Sequence, residues 1–126
     1  MKGISIVIPT LHRTEFLLNT LKDLVKQVCD FPFEIVIVDQ SNQLDDRVVD
    51  FCKNYTFFHY HHITFFKGLP EARNYGWQQA IYDFILFLDD DIQCDENLLK
   101  EHFSILKDTS VGVVAGGIIE IYKKNI

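Results

Sequence analysis

No stretch of this chain is both apolar and long. No run approaches the ~20 residues that cross a bilayer, and Met1-Lys2-Gly3 leads through Ile4–Ile8 to a proline, well short of a secretory apolar region and its cleavage site. No membrane span is expected, and cytoplasmic placement follows, with any membrane association left to residues outside this stretch. Cysteine is sparse: Cys29, Cys52 and Cys94 are odd in number, far apart and without a Cys-x-x-Cys pair. That pattern disfavours a disulfide framework and structural zinc, and fits reduced thiols. Positive charge is in deficit, with 12 Lys and Arg against 18 Asp and Glu for a net −6, the wrong balance for a phosphate-backbone partner, so no nucleic acid is expected. Two phosphate-binding signatures are missing: there is no Gly-x-x-x-x-Gly-Lys-Ser/Thr, and no Gly-x-Gly-x-x-Gly follows the first apolar run. Repeats, low-complexity tracts and linkers are also lacking.

What is present suits one packed domain, 126 residues of which 48% are apolar. The most informative junction is Phe84-Ile85-Leu86-Phe87-Leu88 running into Asp89-Asp90-Asp91. A short run that is apolar on both faces reads as a strand buried on both sides of a parallel sheet. Its carboxyl end, where open α/β sheets bind ligands, then carries the acids. Adjacent carboxylates repel unless water or a cation screens them. Oxygen-only ligands suit Mg²⁺ or Mn²⁺, which commonly share their coordination shell with substrate phosphates.

The rest of the chain alternates strand and helix. Ile4–Ile8 is a β-branched strand stopped by Pro9-Thr10, and from about Thr14 the apolar residues Leu17, Leu21, Leu24, Val25 and Val28 take helical spacing. Phe31-Pro32-Phe33 ends that helix. Glu34–Val38 is a second strand leading to Asp39-Gln40-Ser41-Asn42, and a short helix with Val48, Phe51 and Cys52 on its apolar face starts near Asp45-Asp46. A third strand is expected at Thr56–His61. Lys67-Gly68-Leu69-Pro70 opens a helix in which Ala72, Tyr75, Gly76 and Ala80 make a small-residue packing face, with Trp77 expected to pack on its helix. Leu98, Leu99, His102, Phe103 and Leu106 mark a last helix, and Val111–Tyr122 reads as one or two further strands. Such alternation implies a doubly wound sheet.

If the strands at Ile4, Ile35 and Phe84 are parallel neighbours, then Pro9-Thr10, Asp39-Gln40 and Asp89–Asp91 emerge together at one edge. The motifs Ile8-Pro9-Thr10 with Arg13, Val38-Asp39, Gly68 with Ala72-Arg73-Asn74 and Gly76, and Phe87-Leu88-Asp89-Asp90-Asp91 occur in this order. In order and spacing the chain resembles the nucleotide-binding half of family 2 glycosyltransferases. The resemblance implies a GT-A-like three-layer α/β/α fold, doubly wound on a mostly parallel sheet, over residues 1–126. It implies a nucleoside-diphosphate sugar, UDP-linked, as donor, a saccharide or lipid-linked acceptor, transfer with inversion, a role in polysaccharide biosynthesis and a Mn²⁺ or Mg²⁺ cofactor. Pro9, Thr10, Arg13, Asp39, Arg73, Asp89 and Asp90 are the implied nucleotide-sugar residues, and Asp91 with Asp89 the implied metal ligands. Asp39 would accept from the uracil N–H, with Thr10 beside the base. One departure is visible: Gln40 stands where many members carry a second acid, so the nucleotide role rests on Asp39. The catalytic base of the family pattern lies downstream of Ile126, so the chain is expected to stop before the acceptor-binding half.

Other readings stay open beside this one. A nucleotide- and metal-binding unit without turnover keeps the same motifs, and a sugar nucleotidyltransferase shares the metal logic but needs a glycine- and lysine-rich loop where Leu11-His12-Arg13-Thr14 stands. His59 and His61 would share a strand face next to His62, a spacing able to hold zinc or copper, but no third ligand is predictable and edge-strand histidines are the expectation. A calcium loop from Asp89 fails on spacing, with Cys94 at its sixth position and Lys100 at its twelfth.

Overall fold

Strands apolar on both faces need cover on both, and the chain supplies it by inserting a helix between each strand and the next. The computed structural model describes residues 2–108, 110–113 and 116. Its elements are β1 (Ile4–Thr10), α1 (Thr14–Leu24), β2 (Phe33–Asp39), α2 (Asp46–Cys52), β3 (Phe58–His62), α3 (Leu69–Gln79), β4 (Phe84–Phe87) and α4 (Leu98–Leu106). The strands form one parallel sheet in the order β3-β2-β1-β4. This is the expected doubly wound α/β architecture, with β1 at the centre and buried along its whole length.

Side-chain alternation divides the core between the two faces. Ile4, Ile6 and Ile8 of β1 join Ile35 and Ile37 of β2 against Leu17, Leu21 and Leu24 of α1, Val48 and Cys52 of α2, and Leu99 of α4. On the other face Val7, Val36 and Val38 meet Ala72 of α3 together with Ile63. Gly76 sets the distance there: a Cβ on it would stand 2.2 Å from Val7 Cγ1. Only a residue without a side chain lets α3 lie that close to β1.

Local chemistry fixes several boundaries. Asp45 caps α2 by accepting from the Arg47 backbone N–H at 2.9 Å. With both the side chain and the backbone of Arg47 bonded to it, the Asp45 carboxyl is held down at about 2. The helix N-cap at Gly68 has φ 145°, and a Cβ there would collide with the Glu71 carboxylate at 1.9 Å. Glycine is therefore required at this turn.

Four expectations need correction. Val28 is not on the α1 face: the helix stops at Leu24, tighter turn bonds from Lys26 and Gln27 to Asp23 and Leu24 follow, and Val28 is exposed with its N–H bonded to Glu96 O at 2.8 Å. Trp77 is likewise exposed, because Ala72 and Gly76 fill the contact face of α3 and the indole N–H is satisfied locally by Asn74 Oδ1 at 3.0 Å. The fourth strand is shorter and less buried than expected. It ends at Phe87, itself exposed, and among the described residues it pairs with β1 alone. The third strand sits slightly later than expected, at Phe58–His62. The strands expected over 111–122 lie largely outside the described residues, and Val111–Val113 carry no strand.

The three cysteines are free, and burial pushes the thiols of Cys52 and Cys94 up to about 11. Among the described residues no helix is long and apolar enough to cross a membrane.

Candidate functional site

The connection from β1 to β2 to β3 runs outward in one direction, and the chain then returns to place β4 on the other side of β1. That reversal opens a crevice beyond the carboxyl ends of β1 and β4, the usual ligand position in open parallel sheets. The register sets Thr10 opposite Asp39, and Val7 opposite Phe87, so the residues after Thr10, Asp39 and Phe87 leave the sheet at a common edge. A cavity of about 430 Å³ lies there, lined by Pro9, Thr10, Leu11 and Arg13 from the β1 end, Gln40 from the β2 end, Gly68 and Leu69 from the start of α3, and Asp89, Asp90 and Asp91.

Asp90 is the fixed point of this edge. Its side chain is buried; Thr10 Oγ1 donates to its carboxylate at 2.8 Å and Thr20 Oγ1 donates to its backbone carbonyl at 2.7 Å. Burial pushes the Asp90 carboxyl above its usual range, reinforced by the charges of Asp91 and Asp89 and opposed by the Thr10 bond and Arg13. Arg13 reaches both of the later acids, with Nε 3.3 Å from Asp90 Oδ1 and Nη2 2.9 Å from Asp91 Oδ2.

Asp39 is built differently. It is buried at the tip of β2, where the Ser41 N–H donates to Oδ1 at 2.9 Å and the Tyr60 hydroxyl donates to Oδ2. Burial and the Asp39 bond both push the Tyr60 hydroxyl upward, so it remains a donor. The Asp39 side chain lies outside the cavity lining, while its neighbour Gln40 is within it and accepts from the Gly68 N–H at 2.7 Å. Arg73 is half-buried on the first turns of α3 and also outside the lining; its Nε is buried with no hydrogen-bond partner.

A family model for glycosyl transferase family 2 matches residues 5–125. The chain belongs to glycosyl transferase family 2. Among the relatives of this family 2 chain, the chondroitin synthase of Pasteurella multocida strain Pm70 is 29% identical over 115 residues, covering 89% of this chain but 12% of that protein. The poly(ribitol-phosphate) β-N-acetylglucosaminyltransferase TarS of Staphylococcus aureus strain Mu50 is 30% identical over 106 residues, covering 80% of this chain and 18% of that one. The structure of S. aureus TarS 1–349 in complex with UDP-GlcNAc superposes with a TM-score of 0.73 at 27% identity, over 95% of this chain and 37% of that chain. The fold alone is shared with a mannosyltransferase from Pyrobaculum calidifontis, in complex with GDP-Man and Mn²⁺, at a TM-score of 0.75 and 20% identity over 86% of this chain and 33% of that one. The chain thus spans a minority of the length of each of these relatives.

Of the residues singled out from the sequence, the structure gathers Pro9, Thr10, Arg13, Asp89, Asp90 and Asp91 around one cavity of this family 2 chain. Asp39 shares the edge but stands behind Gln40. Sequence reasoning gave no role to Gln40, Leu11 or Leu69 in the lining, nor to Tyr60 and Ser41 behind Asp39. The Gln-for-acid change at position 40 was the available signal, since an amide carbonyl can accept from a backbone N–H without adding charge.

The histidines meet ordinary partners. His61 Nδ1 is 3.0 Å from the Tyr75 hydroxyl, His62 Nε2 is 2.7 Å from Ser41 O, and His59 Nε2 is 3.5 Å from Glu34 Oε1. Among the described residues no three His, Cys, Asp or Glu side chains are arranged around a single metal position, and that includes the acid triplet. A cation at the triplet would draw on one or two carboxylates and take its remaining oxygens from elsewhere. Magnesium-type ions bound through substrate phosphates do this, so the donor set fits.

Proposed function

We propose that this chain is the donor-binding part of a metal-dependent glycosyltransferase that holds a nucleoside-diphosphate sugar, UDP-linked, at the carboxyl edge of β1, β2 and β4, for transfer to an acceptor hydroxyl with inversion. The observation that carries this reading is the meeting of Thr10, Arg13, Gln40 and Asp89–Asp91 around one cavity at the strand-order reversal, in a chain of this family. The likeness to TarS, whose structure holds UDP-GlcNAc, favours uracil as the base.

Each residue then has a task that its chemistry suits. Asp39 accepts from the uracil N–H: its two oxygens already hold the Ser41 N–H and the Tyr60 hydroxyl, but a carboxylate has about four acceptor positions. Thr10 and Pro9 form the wall beside the nucleoside. Arg73, half-buried on α3 and outside the cavity lining, is kept as a nucleotide contact on the family resemblance, through its planar fork of donors. Asp91, with Asp89, would ligate Mn²⁺ or Mg²⁺, and Asp90 would face the ribose side. The bound cation would stabilise the negative charge that grows on the departing diphosphate. The acceptor hydroxyl would then attack the anomeric carbon from the face opposite that leaving group, breaking the bond to the diphosphate and giving its proton to a general base that is none of the residues named here.

Calorimetric titration with UDP and GDP, each with and without Mn²⁺, tests the reading. Asp91→Ala should abolish the Mn²⁺-dependent gain in affinity, and Asp39→Ala should reduce the preference for UDP over GDP. If folded variants at both positions bind as the parent does, the site is misassigned.

A further inference from the structure

The acid triplet already has a cation beside it. Arg13 bridges Asp90 and Asp91 through two different guanidinium nitrogens, with Phe16 beneath the group, its ring centroid 4.6 Å from Cζ. The placement is built into the chain. His12, just before it, has φ 53°, a left-handed conformation sparsely populated by residues that carry a Cβ. The His12 N–H is tied to Ser41 Oγ at 2.7 Å, anchoring the turn to the β2 end, and the Arg13 carbonyl accepts from Leu17 N–H at 2.9 Å to start α1. Backbone, aromatic ring and carboxylates together aim a single positive charge at the place where the proposed function puts a divalent one.

A divalent ion ligated by Asp91 would sit beside the Arg13 guanidinium on the same carboxylate, and like charges that close repel, so the two cations compete for this acid. Of the two pairs, the one with Asp91 is open to water, at 42% and 43% exposure, and is held weakly enough to exchange, whereas Asp90 is 8% exposed and keeps its Thr10 bond when the guanidinium turns away. A guanidinium is also well matched to phosphate oxygens, which it can engage through two parallel donors. We propose that Arg13 is a resident counter-ion of the acid triplet: it neutralises Asp90 and Asp91 while no nucleotide is bound, yields Asp91 to the divalent cation, and moves its own charge onto the diphosphate that arrives with that cation. This rests on the nucleotide and metal reading given above and adds a consequence to it. Metal and nucleotide must bind in concert, because the nucleotide draws away the group that competes with the metal, and the coupling is reciprocal.

The test measures Mn²⁺ affinity of the intact chain from the electron paramagnetic resonance signal of free Mn²⁺, with and without UDP, for the parent, Arg13→Gln and Asp91→Ala, with thermal melts confirming the fold. Arg13→Gln should bind Mn²⁺ about 5-fold or more tightly without UDP, and the further tightening caused by UDP should shrink by a similar factor. Mn²⁺ binding that is unchanged or weaker in folded Arg13→Gln overturns the inference while leaving the site reading intact, provided Asp91→Ala loses the metal. If Asp91→Ala retains Mn²⁺ affinity in the presence of UDP, the site reading fails and the inference with it. Should Arg13→Gln not fold, Phe16→Leu decides: removing the ring under the guanidinium should also tighten Mn²⁺ without UDP, by a smaller factor, and no change overturns the proposal.

Discussion

The two halves of the sheet's carboxyl edge are held together by different forces. Over β2 and β3 the polar groups meet protein donors and acceptors set by strand register: Asp39 with the Ser41 N–H and the Tyr60 hydroxyl, His62 with Ser41 O, Gln40 with the Gly68 N–H. Over β1 and β4 buried Asp90 is held by Thr10 and Thr20, while exposed Asp91 meets the charge of Arg13. Directional bonds between buried neighbours are costly to break, because each group left behind would be unsatisfied. A solvent-exposed ion pair is cheap to exchange. The first half is therefore a stiff wall, and the second is adjustable at Asp91 and Arg13 while Asp90 stays fixed, which under the proposed function matches a base that must be recognised by shape and a diphosphate that must be met by charge.

The largest expected effect comes from removing the adjustable half's acid. Asp91→Ala should lower any sugar transfer by about 10²-fold or more, the scale seen when one group that stabilises developing negative charge is lost, and should leave the melting temperature nearly unchanged because Asp91 is exposed. Activity and melting measured on the same preparation check this; a melting temperature that falls with activity would place Asp91 in the framework and erase the contrast. Gly68 holds Gln40 on the stiff side, and Gly68→Ala comes next. The φ of 145° is hostile to a Cβ, and the new atom would press on Glu71. A loss of about 1–3 kcal/mol is expected, with weaker UDP binding because Gln40 loses its fixed donor. Denaturant midpoints and calorimetry would show both.

How visible this contrast is in the sequence depends on what makes each feature. β1 and β2 are legible because Ile4–Ile8 and Ile35–Val38 are β-branched runs that must be covered on both faces, and the acid triplet is legible because its members are consecutive. Asp90, Thr10 and Thr20 come from three elements, and their meeting follows only once strand order is known. The Tyr60–Asp39 and Gln40–Gly68 bonds have the same origin: each joins residues from different strands or loops whose register no local pattern states. Trp77 misleads for the opposite reason. An aromatic in an amphipathic helix reads as core, yet the close approach of Gly76 to Val7 leaves no room on that face, and Asn74 satisfies the indole. Tight packing of small residues decides where a large one goes.

Tyr60→Phe probes the stiff half with a smaller perturbation. Only the hydroxyl is removed, leaving one oxygen of buried Asp39 without its donor, at a cost of about 1–2 kcal/mol. Because the ring remains, the melting temperature should fall modestly while the preference for UDP over GDP falls with it, and Mn²⁺ binding should stay as in the parent. A change in Mn²⁺ affinity would show that the halves are coupled through the sheet.

The smallest effect expected is one of pH, and it arises on the stiff side. His61 on β3 packs against Tyr75, with its Nδ1 near that hydroxyl; burial pushes its pKa below the ordinary histidine value, His59 pushes the same way, and Glu34 opposes them. The folded chain therefore binds fewer protons at this position than the unfolded chain between the two pKa values. Stability from His61 is fully present above about 6.5, the unfolded value, and is lost as pH falls from there through the folded value, since the slope follows the excess of protons bound in the unfolded state. His61→Gln should flatten the stability profile in that window while leaving it unchanged above neutrality, as denaturant titrations at stepped pH would reveal. An unaltered slope in the variant would move the acid sensitivity to another group and leave the β3 edge indifferent to protonation.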